Sequence, residues 1–198
     1  MLPPTFSAGP SVDAASAATE GITRVYSRNA TLKEYTFDAR VSIVMHRFPW
    51  LRFHLDGHGK YERDGSYRIQ FESVPFWAKG FDHFDMTSLD PRSWPKQYAI
   101  SETQHSGDSL LVTMHERRKS NLKNVAATID ADGVRRIVWS YDSGGYVQLN
   151  VTPSSSAFIL PAAEDAQIAV PVMNATAHAE FSNYHVVTDE GPVAQSAR

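Results

Sequence analysis

The sequence predicts a mainly β protein: one antiparallel, strongly curved sheet, with an N-terminal helix and a short helical, aromatic-rich segment laid over its inner face. Three observations carry this. Long stretches alternate apolar and polar residues, the period of a strand with one buried and one wet face. Turn signals recur roughly every 8 to 14 residues through the second half, the spacing of an antiparallel meander, with no βαβ rhythm. Between Val74 and Trp94 the alternation gives way to an irregular crossing that carries Phe76, Trp77, Phe81, Phe84, Met86, Leu89 and Trp94.

Residues 1–10 are rich in Pro, Ser and Gly and read as a flexible start. Residues 11–188 read as a single domain, and 189–198 as a flexible polar tail. Ser11 or Asp13 can cap a helix running to about Ser27, where Ile22, Val25 and Tyr26 fall on one face and Gly21 weakens the middle. Tyr35 to Met45 alternates most cleanly, with Tyr35, Phe37, Ala39, Val41, Ile43 and Met45 on one face. Phe48-Pro49-Trp50 leads to a hairpin. Its first strand, Trp50 to Glu62, sets Leu51, Phe53, Leu55 and Tyr61 against Arg52, His54, Asp56, His58 and Lys60. Arg63-Asp64-Gly65 turns the chain into Tyr67, Ile69 and Phe71. Asp90 and Pro91 can open a short helix as cap and first residue. Strands are then expected at Gln97 to Thr103, Ser109 to Glu116, Val125 to Ile129, Val134 to Tyr141, Tyr146 to Val151, Ala157 to Leu160, Gln167 to Val172 and Ala175 to Val187. The turns between them include Gln104 to Asp108, Asp130 to Gly133 and Asp142 to Gly145.

A length of 198 residues suits one sizeable all-β domain. The net charge of -3 gives no reason to expect nucleic acid, which needs concentrated Lys and Arg. No apolar run approaches the roughly 18 residues of a transmembrane helix. Met1-Leu2-Pro3-Pro4 lacks the basic and apolar regions of a secretory leader, so an extracytoplasmic location requires that a leader has been removed. The absence of cysteine excludes disulfides, thiolate metal sites and cysteine nucleophiles, and is compatible with an oxidising compartment. The sequons at Asn29, Asn150 and Asn174 read as chance.

Gly107-Asp108-Ser109-Leu110 spells the nucleophile block of a hydrolase family. That block belongs near an N-terminus after a parallel strand, with Asp-x-x-His near the end of the chain. Here it sits in a mid-chain hairpin turn, so ordinary turn chemistry accounts for it, and a serine hydrolase at Ser109 is the weakest reading. In His54-Leu55-Asp56-Gly57-His58, strand periodicity puts both imidazoles and the carboxylate on one face, a zinc-like donor set. Four strand residues separate the histidines by about 13 Å, too far for one ion unless Gly57 and Gly59 mark a bulge. The solvent face of a half-buried sheet is the better reading. The acids are dispersed and offer no glycosidase pair. Gly144-Gly145 is a hairpin turn rather than a phosphate loop. No catalytic residue, metal or cofactor is expected.

The aromatics of the crossing either plug a closed sandwich or bound a ligand cavity. Long strands with one apolar face favour the cavity, because a single curved sheet has one inner face that the helix and crossing must cover. The order of motifs resembles the LolA/LolB-like periplasmic lipoprotein-carrier superfamily over roughly Val12 to Val187. The residues are Leu55-Asp56-Gly57-His58-Gly59-Lys60-Tyr61, Tyr67-Arg68-Ile69-Gln70-Phe71, Trp94-Pro95-Lys96-Gln97-Tyr98, Val138-Trp139-Ser140-Tyr141-Asp142-Ser143-Gly144-Gly145 and Phe181-Ser182-Asn183-Tyr184-His185-Val186. The resemblance implies an antiparallel half-barrel with a helical lid, and a non-enzymatic, soluble, periplasmic or otherwise extracytoplasmic carrier. It implies lipid or acylated-protein cargo, passed between membrane-protein donors and acceptors. A lipoprotein member would carry a lipidated cysteine, which this chain lacks. The inner face is expected to include Phe37, Val41, Ile43, Phe53, Leu55, Ile69 and Phe71, and the lid or rim Phe76, Trp77, Phe81, Phe84 and Trp94. The rival is a structural or interaction module that fills the same space with its own aromatics.

Overall fold

The computed structural model describes residues 11–47, 50–72, 74, 83–85, 89–118 and 120–193, with the backbone alone for 11–13 and 83–85. Helix α1 (Ser11–Tyr26) is followed by β1 (Leu32–Met45), β2 (Arg52–Glu62), β3 (Tyr67–Phe71) and β4 (His83–Asp85). A 3-10 turn (Pro91–Ser93) and α2 (Trp94–Gln97) lead into β5 (Tyr98–Ser106) and β6 (Ser109–Glu116). Then come β7 (Leu122–Asp130), β8 (Gly133–Tyr141), β9 (Tyr146–Pro153), β10 (Pro161–Val170), β11 (Met173–Thr188) and β12 (Gly191–Val193). The described strands form one sheet in the order β4-β3-β2-β1-β11-β10-β9-β8-β7-β6-β5, with β12 beside β11. Every pairing is antiparallel. The sheet does not close: β4 and β5 are its two edges.

Register explains the two faces. β1 and β2 pair without a slip from Glu34 opposite Glu62 to Val44 opposite Arg52. Along β2 buried and exposed residues therefore alternate strictly from Arg52 to Tyr61, and one slip would have exposed the whole apolar set. Phe37, Leu55 and Ile69 are each 2% exposed, and burying such side chains contributes about 1.5–3 kcal/mol apiece.

The apolar face divides into two halves. One gathers β1, β2, β3 and β11 around Tyr35, Phe37 and Phe181. The other gathers β5 to β8 with Ala18 and Ile22 of α1 and with Trp94. Gly21 is not a flaw in α1, because a Cβ there would press on the Leu110 side chain of β6 at 2.7 Å. Its absence lets the helix sit close on the sheet. At the seam of the halves, Tyr61 of β2 and Val134 and Ile137 of β8 line one small cavity. Five strand-to-strand steps separate β2 from β8 in the sheet order, which in a flat sheet is about 24 Å. The sheet must curl for both to reach the same hollow.

Three local expectations change. Ala157 to Leu160 is not a strand. It is a bend whose Ile159 N–H donates to Asn29 Oδ1 (2.8 Å) and whose Ile159 carbonyl accepts from Asn29 Nδ2 (3.0 Å). The Arg28 guanidinium also donates to the Ser156 carbonyl at 3.2 Å. Side chains thus supply what a neighbouring strand would have given the backbone. The β5–β6 turn shrinks to Gly107-Asp108, since Ser106 pairs with Ser109 and Gly107 takes φ +59. The polar tail opens with β12, which pairs Gly191 with Thr188.

Candidate functional site: the concave face and its buried carboxyl

The chain reaches the concave side through an unusual connection. β4 and β5 follow one another in sequence yet form opposite edges of the sheet. Their link must therefore cross from edge to edge, and Leu89 to Arg92 lie within the concavity as part of the cavity wall. Asp90 caps the 3-10 turn, accepting from the Arg92 N–H at 3.0 Å, with Pro91 in the first turn as the sequence indicated. The Arg92 guanidinium also grips both Asp90 carboxylate oxygens at 3.0 Å. It lies over the rings of Tyr26 (5.6 Å) and Tyr61 (5.5 Å). Burial pushes the Asp90 carboxyl up to about 6, opposed by the Arg92 N–H and the Lys96 charge. The guanidinium on both oxygens likewise favours the ionised form.

Behind this pair lies a hollow of about 70 Å³. Tyr26, Tyr35, Tyr61 and Tyr67 form much of its wall. The Tyr35 and Tyr61 rings stack at 4.8 Å, and Tyr67 meets both edge-on, at 6.4 and 6.3 Å. Burial holds the hydroxyls of Tyr35 and Tyr67 well above their ordinary range, so they stay protonated. Glu164 of β10 completes the wall at 5% exposure. Among the described residues its carboxyl has no hydrogen-bond or ion-pair partner, and burial pushes it up to about 8. Asp132 also lines the hollow, with its side chain 57% exposed and paired to Arg28, so the space reaches solvent beside it.

The residues expected at a ligand site fall as follows. Phe37, Val41, Ile43, Phe53, Leu55, Ile69 and Phe71 are all buried, together, in the β1–β3 half of the core. Trp94 lies in the crossing but packs in the other half, 1% exposed. Phe76, Trp77 and Phe81 lie outside the described residues. Phe84 is described by its backbone alone, opposite Ile69 in β4. None of the twelve is among the residues that line the 70 Å³ hollow. Glu164 carries no motif in the sequence, whereas Tyr61 and Tyr67 stand in the quoted motifs and Tyr35 on a predicted apolar face, though none of the three was expected at the site.

On the outer face His54 and His58 are not brought together, since β1 and β2 pair with no bulge at Gly57 or Gly59. His54 meets Ser42 Oγ at 2.8 Å, while His58 bridges Asp38 (2.7 Å) and Glu72 (2.8 Å). Asp38 and Glu72 raise the His58 pKa, as Asp165 and Glu180 do that of His178. Asn183, in the left-handed region at φ 51, donates to the second Asp38 oxygen at 2.6 Å. Among the described residues no group of three His, Cys, Asp or Glu side chains could hold a metal. Ser109 opens β6 directly after a two-residue turn, between antiparallel strands.

No protein-family model matches the chain, and no curated protein matches it by sequence. Among solved structures it is similar to a DUF1329 family protein from Desulfovibrio piger, at TM-score 0.59 and 10% identity, covering 91% of this chain and 94% of that one. It is similar to a LolA superfamily protein from Nitrosomonas europaea, at TM-score 0.56 and 7% identity, covering 93% and 95%. It is also similar to a domain named for outer membrane lipoprotein sorting from Vibrio parahaemolyticus, at TM-score 0.58 and 8% identity, covering 87% and 94%. At such low identity these likenesses establish the fold: the open antiparallel sheet of the LolA kind that the motif order resembled.

Proposed function

We propose that the protein is a non-enzymatic extracytoplasmic carrier that shields the acyl chains of a lipid or lipoprotein against its concave face. The observation that carries this is the edge-to-edge crossing: consecutive strands β4 and β5 bound the sheet on opposite sides, and their link covers an apolar inner face. Phe37, Val41, Ile43, Phe53, Leu55, Ile69 and Phe71 would contact the chain from the sheet side. Phe76, Trp77, Phe81, Phe84 and Trp94 would form its lid or rim, Trp94 alone of them from the β4–β5 link. Two of the similar structures carry LolA or lipoprotein-sorting names, which agrees with this reading. No helix among the described residues is long and apolar enough to cross a membrane. Donor and acceptor partners at the membrane follow from the same proposal.

The hollow of about 70 Å³ has room for about two waters, not for an acyl chain. Loading therefore requires the crossing to lift from the sheet, and the exchange rate is the rate of that opening. The same small volume favours one rival, a structural module whose own aromatics fill the space. Competition of fatty acids from ten to sixteen carbons against a fluorescent acyl probe separates the two. A carrier gains about 0.8 kcal/mol per buried methylene, so affinity should rise about fourfold with each added carbon. No binding at any length, or affinity that ignores length, would establish the filled module instead.

A further inference from the structure

We propose that the hollow behind Asp90 and Arg92 is a binding site for a small organic ammonium group, held by the Glu164 carboxylate within its tyrosine-lined wall. The inference stands apart from the acyl-carrier reading and does not need it.

Three observations support it. Glu164 is 5% exposed, lines the hollow, and has no hydrogen-bond or ion-pair partner among the described residues. A buried carboxyl without a partner costs several kcal/mol and is rare unless something completes it. The walls beside it are aromatic: Tyr35, Tyr61 and Tyr67 meet in one stack-and-edge cluster. Arg92, the cation in the wall, already grips both Asp90 oxygens and lies over the Tyr26 and Tyr61 rings, so it does not serve Glu164. The volume of about 70 Å³ matches about two waters, hence a group the size of methylammonium. The exposed side chain of Asp132 marks the way in.

The charges facing Glu164 set the pH dependence. The hydroxyls of Tyr26, Tyr35, Tyr67 and Tyr184 are all raised by burial and stay neutral. From the crossing come Asp90 and Arg92, which cancel until Asp90 takes up a proton near pH 6, and at the rim lies Asp132, paired with Arg28. Above pH 7 Glu164 is thus the group that titrates, near 8 in the empty site. A cation binds the ionised carboxylate, so below pH 8 binding must displace a proton, and affinity should fall about tenfold per pH unit.

The test is calorimetric titration of the full chain with methylammonium chloride at pH 6, 7, 8 and 9, with methanol as the neutral match. Binding is expected to be roughly 100-fold weaker at pH 6 than at pH 9, with proton release below pH 8, and absent for methanol. Glu164→Gln should abolish both the binding and its pH slope while the circular dichroism spectrum stays that of the wild type. The source of the amine is separated by dihexanoyl phosphatidylethanolamine against dihexanoyl phosphatidylglycerol. Preference for the former assigns a lipid headgroup, and equal behaviour with methylammonium still bound assigns a free amine. No methylammonium binding at pH 9, or equal binding by Glu164→Gln, overturns the site and leaves it a water-filled hollow. Fatty-acid binding in the same preparation would be untouched by that failure, so the two proposals fail separately.

Discussion

Replacing Glu164 by glutamine should make the ligand-free protein more stable at pH 8 and leave its stability near that of the wild type at pH 4. Burial raises the carboxyl from 4.5 to about 8 in the folded chain. Below about pH 4.5 the acid is protonated in both states and costs only its burial. Between pH 4.5 and 8 the unfolded chain gives up its proton first, so stability falls by about 1.4 kcal/mol per pH unit. Above pH 8 the loss is complete, at roughly 4–5 kcal/mol. Glutamine has nearly the same shape and no proton to lose, so it removes the slope. Asp90, raised to about 6 by burial, adds a smaller loss of the same sign below pH 6. The imidazoles of His58 and His178 are raised by their carboxylate partners. Their contribution is present below the unfolded imidazole pKa and fades as pH rises through the folded value, again the same sign. The measurement is therefore a difference: urea denaturation of both proteins from pH 4 to 9. Parallel profiles would show that Glu164 is hydrated or paired in solution.

This prediction rests on a residue that the sequence hides. Glu164 and Asp165 are adjacent acids, and in a strand adjacent residues face opposite sides. Asp165 goes outward to His178 at 2.7 Å, which sends Glu164 inward. Nothing in the pattern Pro161-Ala162-Ala163-Glu164-Asp165-Ala166 says which acid is inside, and periodicity places the strand only from Gln167. The opposite error arises at Ala157 to Leu160. Its apolar residues read as a strand, but Leu160 is buried by a bend that Asn29 clasps from 130 residues away, a contact no local signal announces. Where local chemistry is sufficient, the reading holds. The alternation of Tyr35 to Val44 in β1 and of Arg52 to Tyr61 in β2, the Asp90-Pro91 helix start and the turns at Gly65 and Gly133 are all present, while Met45 is only half-buried. The curvature was legible only indirectly, as an excess of one-faced apolar strands needing a cover. The two glycines of β2 were legible as a motif but not as to cause: the regular strand that was expected is present, and a bulge, the one alternative, is not.

Their cause yields the other large effect: Phe37→Ala should cost about 3–5 kcal/mol, and most of the harm done by Gly59→Ala should vanish in its presence. Phe37 sits opposite Gly59 in the β1–β2 register, and its ring lies flat across the glycine, so that a Cβ at Gly59 would fall on the ring itself. The ring is held there from three sides, by Phe181 edge-on at 5.3 Å, Tyr184 at 5.6 Å and Tyr67 at 5.8 Å. With no room to swing, it must be driven off its rotamer by the added methyl, and overpacking of this kind costs about 1–3 kcal/mol. Once Phe37 is truncated, the same methyl enters the vacated space and refills part of the cavity. Alanine also suits a strand interior better than glycine. The double variant should then be no less stable than Phe37→Ala alone, a coupling of about 1–3 kcal/mol in a cycle measured by urea denaturation. Strict additivity of the two single costs would mean that the ring does not lie over Gly59. The glycine would then owe its place to backbone conformation, as a bulge would require. A coupled pair instead means that the motif's glycine makes room for an aromatic floor on the inner face of the sheet.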